Sequence, residues 1–104
     1  MTAEMIRLRK LLTALGIEWR DQSEDFYLPL DRTKFMINGF EWSVIHGYGS
    51  YGGYDFYSNI DRGLLELMTS CVNNGDPIGY LTADDVLDYV KIFGKWKASK
   101  DNES

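Results

Sequence analysis

Residues 33–53 read TKFMINGFEWSVIHGYGSYGG, and the reading of the fold starts from this stretch. Two β-prone runs, Thr33 to Ile37 and Phe40 to His46, flank Asn38-Gly39. A two-residue type I′ turn needs positive φ at both central positions, which Asn and Gly tolerate and most residues resist. The spacing therefore predicts a tight antiparallel hairpin. In its second strand Phe40, Trp42 and Val44 alternate with Glu41, Ser43 and Ile45, and the first set is expected to face the core. Gly47 to Gly53 then places four glycines in seven residues, which no regular element accommodates.

Before the hairpin, Met5, Leu8, Leu11, Leu12 and Leu15 recur at helical spacing and predict a helix over residues 3–15. Thr2 is placed as its N-cap and Gly16 as its stop. Arg7, Arg9 and Lys10 lie off the apolar stripe and are expected in solvent. Ile17 to Arg20 alternates like a short strand, Asp21 to Asp25 is a polar turn, and Pro29 demotes residues 26–30 to an edge or irregular segment. After the glycine loop, Tyr54 to Tyr57 reads as a third strand. Leu64, Leu65, Met68, Cys71 and Val72 predict a second helix over residues 61–72, ended by Asn73-Asn74-Gly75-Asp76-Pro77. The last helix is the best marked. Thr82 caps it, Asp84 and Asp85 meet its dipole, Leu81 and Val86 staple it, and Gly94 ends it. Val86, Leu87, Val90 and Phe93 form its buried stripe.

These elements predict one α+β domain over residues 1–94, an antiparallel sheet of three to four strands with three helices packed on one face. Residues 95–104 read as a polar C-terminal tail with Trp96 as an anchor. The chain has 104 residues, so its core is small, and a homo-oligomer is expected to add to its stability.

The net charge of −5 disfavours long nucleic acids, whose binding needs several phosphates neutralised. A small anion held by two or three local cations remains compatible with it. The single Cys71 precludes an internal disulfide and fits a reducing, cytoplasmic setting. The charged opening MTAEMIRLRK does not read as a signal peptide, and no apolar run is long enough for a membrane span.

Gly47 to Gly52 matches G-x-G-x-x-G, but it follows an antiparallel hairpin and no helix opens at it, so the dinucleotide fingerprint is incomplete. Ser50, His46 and Asp55 can be written as a triad. The simpler reading is a hairpin-end histidine satisfied by a backbone carbonyl. His46 with Asp55 or Glu66 is the remaining enzymatic reading. One His and one Cys match no zinc spacing, so neither metal nor cofactor is expected. Aromatics reach 14% of the chain, and Tyr48, Tyr51 and Tyr54 crowd the loop. Their rings can stack on a base. Gly47, Gly49, Gly52 and Gly53 can offer backbone N–H groups to phosphate. Arg32, Lys34 and Arg62 flank the loop and can supply charge, with His46 beside them. Two further readings stay open: a loop whose tyrosines merely cover the sheet end, and a Tyr/Gly surface that recognises protein.

The runs FEWSVI (40–45) into GYGSYGG, GLLELM (63–68), GYLTADDV (79–86) and MIRLRKLLTALGIEW (5–19) resemble small phage and prophage proteins of Gram-positive bacteria. The resemblance spans most of the chain and brings no assigned functional residue with it. It implies an accessory, anti-defence role. One form is a non-catalytic sponge that sequesters a nucleotide-derived host immune signal, a cyclic ADP-ribose variant or a cyclic dinucleotide. The alternative is an inhibitor that binds a host defence enzyme through the Tyr/Gly-rich loop.

Overall fold

The computed structural model describes residues 1–25 and 27–98. In chain order these form α1 (Ala3–Ala14), β1 (Trp19–Asp21), β2 (Glu24–Asp25), β3 (Pro29–Ile37), β4 (Phe40–Gly47), β5 (Tyr54–Asp55) and β6 (Ile60–Asp61). Then follow β7 (Leu65–Thr69), a 3-10 turn (Asn73–Gly75), β8 (Ile78–Leu81) and α2 (Ala83–Ile92). The main sheet runs β1-β3-β4-β7-β8, with β2 also paired to β3, and β5-β6 is a separate small hairpin. The pairings between these strands are antiparallel.

The β3–β4 hairpin forms as its sequence predicts. Ile37 pairs with Phe40 across a two-residue loop. Asn38 and Gly39 hold φ of 49° and 86°, as a type I′ turn requires. The Asn38 side-chain amide also donates to the Gly94 carbonyl at 2.8 Å, which ties the turn to the end of α2. The core is drawn from one face of the sheet. Thr33, Phe35 and Ile37 of β3, Trp42 and Val44 of β4, and Leu65 and Leu67 of β7 are buried there. Met5, Leu8 and Leu12 of α1 and Val86, Leu87 and Val90 of α2 join the same cluster. At about 1.5–3 kcal/mol for each large apolar side chain, this layer is the main source of stability. Phe35 and Trp42 stack with ring centres 6.1 Å apart. The Trp42 indole N–H is the one buried side-chain polar atom without a partner among the described residues.

Thr82 caps α2 through a full capping box: its hydroxyl accepts from the Asp85 amide, and the Asp85 carboxylate accepts from the Thr82 amide. Thr2 stands at the start of α1 without capping it. Its hydroxyl instead donates to the Gly63 carbonyl at 2.8 Å.

Several expectations are corrected. The described residues form two α-helices, not three, and the sheet is wider than three to four strands. Residues 61–72 do not form a helix. Leu65, Leu67 and Thr69 point into the core from a strand slotted between β4 and β8, and Met68 is exposed. The helix preference of Leu, Glu and Met is a few tenths of a kcal/mol per residue, less than the ladder and burial contribute here. Tyr54–Tyr57 contributes only two residues to a strand, in the separate hairpin. Phe40 and Phe93 are exposed rather than buried, one at the turn and the other past the end of α2. Arg9 is not a free surface cation. Its guanidinium lies over the Trp19 ring, and its Nε donates to the Thr33 hydroxyl at 2.7 Å. In the tail, Lys95–Ala98 carry no regular structure and Trp96 packs partly on the core. Phe26 and residues 99–104, which belong to the expected edge segment and tail, lie outside the described residues.

Candidate functional site

The glycine loop leaves β4 at Gly47 and folds back over the β7–β8 edge. Three contacts hold it there. The Tyr51 amide donates to the buried Glu66 carboxylate at 2.8 Å. The Tyr80 amide donates to the Tyr51 carbonyl at 3.2 Å, and the Leu64 amide to the Gly52 carbonyl at 2.9 Å. Packing is close enough to exclude side chains at two positions. A Cβ on Gly79 would fall 2.1 Å from the Tyr51 Cβ, and one on Gly53 would fall 2.1 Å from the Ser50 Oγ.

Three of the four glycine N–H groups are already engaged locally. Gly47 N–H goes to the Ser50 hydroxyl at 3.0 Å, Gly49 N–H to the Tyr54 carbonyl at 3.0 Å and Gly53 N–H to the Ser50 carbonyl at 3.0 Å. Gly52 is buried. These glycines allow a compact turn rather than an open cradle of N–H groups.

The rings, by contrast, face outward. Tyr51 is 54% exposed, Phe56 56%, Tyr57 102% and Tyr80 57%. Tyr48, Tyr54 and Phe56 pack on one another, with ring centres 4.5 Å (Tyr48–Tyr54), 5.3 Å (Tyr48–Phe56) and 5.9 Å (Tyr54–Phe56) apart. The β5–β6 turn that carries Phe56 and Tyr57 is shaped by Asp55, whose carboxylate accepts from the Tyr57 amide at 2.9 Å and the Ser58 hydroxyl at 3.0 Å. The Tyr54 hydroxyl contacts the Asn59 side-chain oxygen across the same turn. A shallow cavity of about 250 Å³ opens among Tyr51, Tyr54, Phe56, Tyr57, Arg62 and Tyr80. Glycines 49, 52 and 53 lie in its wall.

Other candidates fall elsewhere. Arg32 and Lys34 are not in this cavity. Arg32 pairs with Glu24 at 3.4 Å and Lys34 with Glu41 at 3.5 Å, on the sheet face opposite the helices. Gly47, Tyr48 and His46 also lie outside its lining. His46 is buried on the helix-covered side of β4, and carboxylates rather than a backbone carbonyl face its ring. Its Nε2 meets Asp61 at 2.9 Å, and its Nδ1 faces Asp31 at 3.8 Å. Burial opposes ionisation of Asp61, but the contact with His46 and the Gly63 amide outweigh it and hold the carboxyl below its ordinary value.

No triad assembles. The Ser50 hydroxyl bonds to Gly47, Asp55 to its own turn and Glu66 to Tyr51. With both His46 nitrogens turned toward carboxylates, neither faces a nucleophile. Among the described residues, no group of three or more His, Cys, Asp or Glu is placed to hold a metal ion. No described helix is long and apolar enough to cross a membrane. A larger cavity of about 470 Å³ lies toward the hairpin turn, beside Trp19, Phe35 and Trp96. It contains none of the predicted site residues, and its one arginine, Arg20, is paired with Glu41.

Phe56, Tyr57 and Tyr80 were missed as site residues by sequence reasoning. The first two read as strand, and Tyr80 lies 29 positions beyond Tyr51 (80 minus 51), joined to it only by the fold. The density of aromatics over residues 48–57 was the available signal. No family model, curated protein or solved structure matches this chain.

Proposed function

We propose that this protein acts by binding, without catalysis, and that its aromatic loop end recognises another protein. The observation that supports this reading is the outward set Tyr48, Tyr51, Phe56, Tyr57 and Tyr80, held on a loop whose own hydrogen bonds order it. Clustered exposed aromatics on a pre-ordered backbone are the composition of protein-contact hot spots and of antibody loops. The resemblance to phage and prophage proteins makes a host defence protein in the cytoplasm the fitting partner class. Met1, Ile6 and Trp19 line an apolar surface beside α1, which suits the homo-oligomer proposed from the small core.

A nucleotide-derived ligand is the second reading, because the loop cavity does bring Tyr51, Tyr54 and Arg62 to one opening. Its volume of about 250 Å³ lies below the ~300–1,000 Å³ of ordinary ligand pockets. It holds one arginine, and a cyclic dinucleotide carries two phosphates. These quantities favour protein recognition as the first reading.

A photo-crosslinking residue in place of Tyr57, compared with one in place of Asp88 on α2, tests the reading in cells. A protein adduct formed at position 57, absent at 88 and lost with Tyr51→Ala, is the expected result. No adduct at 57, together with a thermal shift of the purified protein in cyclic dinucleotides or cyclic ADP-ribose variants, would move the function to the second reading.

A further inference from the structure

The partner's chemistry can be read from the charges around the aromatic end. Leu30 of β3 pairs with Gly47 of β4 and Asp25 with Pro29, so residues 24–25, 29–32 and 47–62 share one end of the sheet. The carboxylates there are Glu24, Asp25, Asp31, Asp55 and Asp61, and the cations are Arg32 and Arg62. Glu24 and Arg32 offset each other as an ion pair. Asp25, Asp31, Asp55 and Asp61 remain against Arg62 and His46, whose ring Asp31 and Asp61 face. Asp55 and Asp61 are both held below the ordinary carboxyl value, Asp55 chiefly by the Tyr57 amide and the Ser58 hydroxyl, so they stay ionised at neutral pH.

Resting on the protein-recognition reading, we infer that this end takes a cationic partner surface, one that presents arginine beside an apolar side chain. Two physical effects converge on that choice. Exposed tyrosine and phenylalanine faces attract a guanidinium through the ring quadrupole, and Arg is itself enriched in interface cores. An acidic rim steers a basic surface toward the rings and repels an acidic one. An anionic ligand meets the opposite field, with Arg62 alone in its favour. Arg62 lines the cavity and makes no ion pair among the described residues, so it is the one local charge working against a cation.

The test titrates the isotope-labelled protein with three peptides of one pattern, alternating leucine with arginine, citrulline or glutamate, and follows backbone amide shifts. The arginine peptide is expected to shift amides of residues 48–61 and Tyr80, with the neutral citrulline and acidic glutamate peptides at least ~5-fold weaker. Raising salt from 50 to 200 mM should weaken the arginine peptide several-fold, as screening shortens the reach of the rim. Arg62→Gln should tighten arginine-peptide binding ~2-fold, where an anion site would lose its ligand. Equal binding of all three peptides, preference for glutamate, shifts centred on α2, or weakening by Arg62→Gln would each overturn the inference. If those outcomes came with the position-57 adduct intact, the protein-recognition reading would stand and only the partner's charge would be wrong. Loss of the adduct as well would remove both.

Discussion

The His46 Nε2 lies 2.9 Å from an Asp61 carboxylate oxygen, and this contact joins the small β5–β6 hairpin to the main sheet. His46 sits on β4, whose pairing with β3 and β7 makes it a fixed point. Asp61 closes the hairpin that carries Phe56 and Tyr57 and also receives the Gly63 amide at 2.8 Å. The contact anchors the base of the arm, while the Gly49 amide to Tyr54 carbonyl bond and the Tyr48–Tyr54–Phe56 packing hold the rest.

Replacing His46 by Ala should loosen that arm before it unfolds the domain. The loss of a partly buried, charge-assisted hydrogen bond is expected to cost about 1–2 kcal/mol. Hydrogen exchange should quicken over residues 54–63 while α1 and β4 stay protected. Uniform acceleration across the chain would show instead that His46 supports the whole core.

Acid should weaken the fold through depressed carboxyls. Asp21 is lowered to about 2 by the Ser23 hydroxyl and amide and by Arg9, and Asp61 is lowered as described above. A carboxyl depressed in the folded state contributes stability above its unfolded pKa, and that contribution fades as pH falls through the folded value. Melting temperature should thus drop as pH falls from about 4 toward 2, and Asp21→Asn should flatten the lower part of that drop. An unchanged slope in the variant would show that Asp21 is not a source of it.

Gly79→Ala should displace the loop. Its new methyl would need the space of the Tyr51 Cβ, 2.1 Å away, and neither backbone can yield without breaking the Tyr80 to Tyr51 hydrogen bond. Overpacking of this kind costs about 1–3 kcal/mol. Denaturant unfolding would measure it, and the position-57 cross-link should fall in parallel. A variant as stable as the parent would mean the loop does not rest on β8.

Gly39→Ala should destabilise the β3–β4 hairpin by about 1–2 kcal/mol, because a Cβ is disfavoured at a φ of 86°. The added methyl meets nothing within 4 Å, so the cost is conformational alone. Gly39→Asn, which tolerates positive φ, should recover part of it in the same denaturant titration.

The sequence by itself determined the features whose cause is local. Asn38-Gly39 favours its own tight turn, because both residues tolerate the positive φ that the turn requires. Thr82 with Asp85 caps α2 from four neighbouring residues, and the stripe Met5, Leu8 and Leu12 makes α1. Tertiary structure decided what depends on distant partners. Leu64, Leu65 and Met68 keep helical spacing, yet residues 65–69 are a strand because β4 and β8 leave a slot that only extended backbone fills. Arg32 and Lys34 flank the loop in sequence, but the two-residue period of β3 turns both onto the open face, where Glu24 and Glu41 pair with them. Tyr80 joins Tyr51, and His46 finds Asp61, only across elements that the chain must first assemble. Spacing along a chain reports backbone preference over a few residues. Which side chains converge on one surface is set by long-range packing, and the aromatic end is a product of that packing.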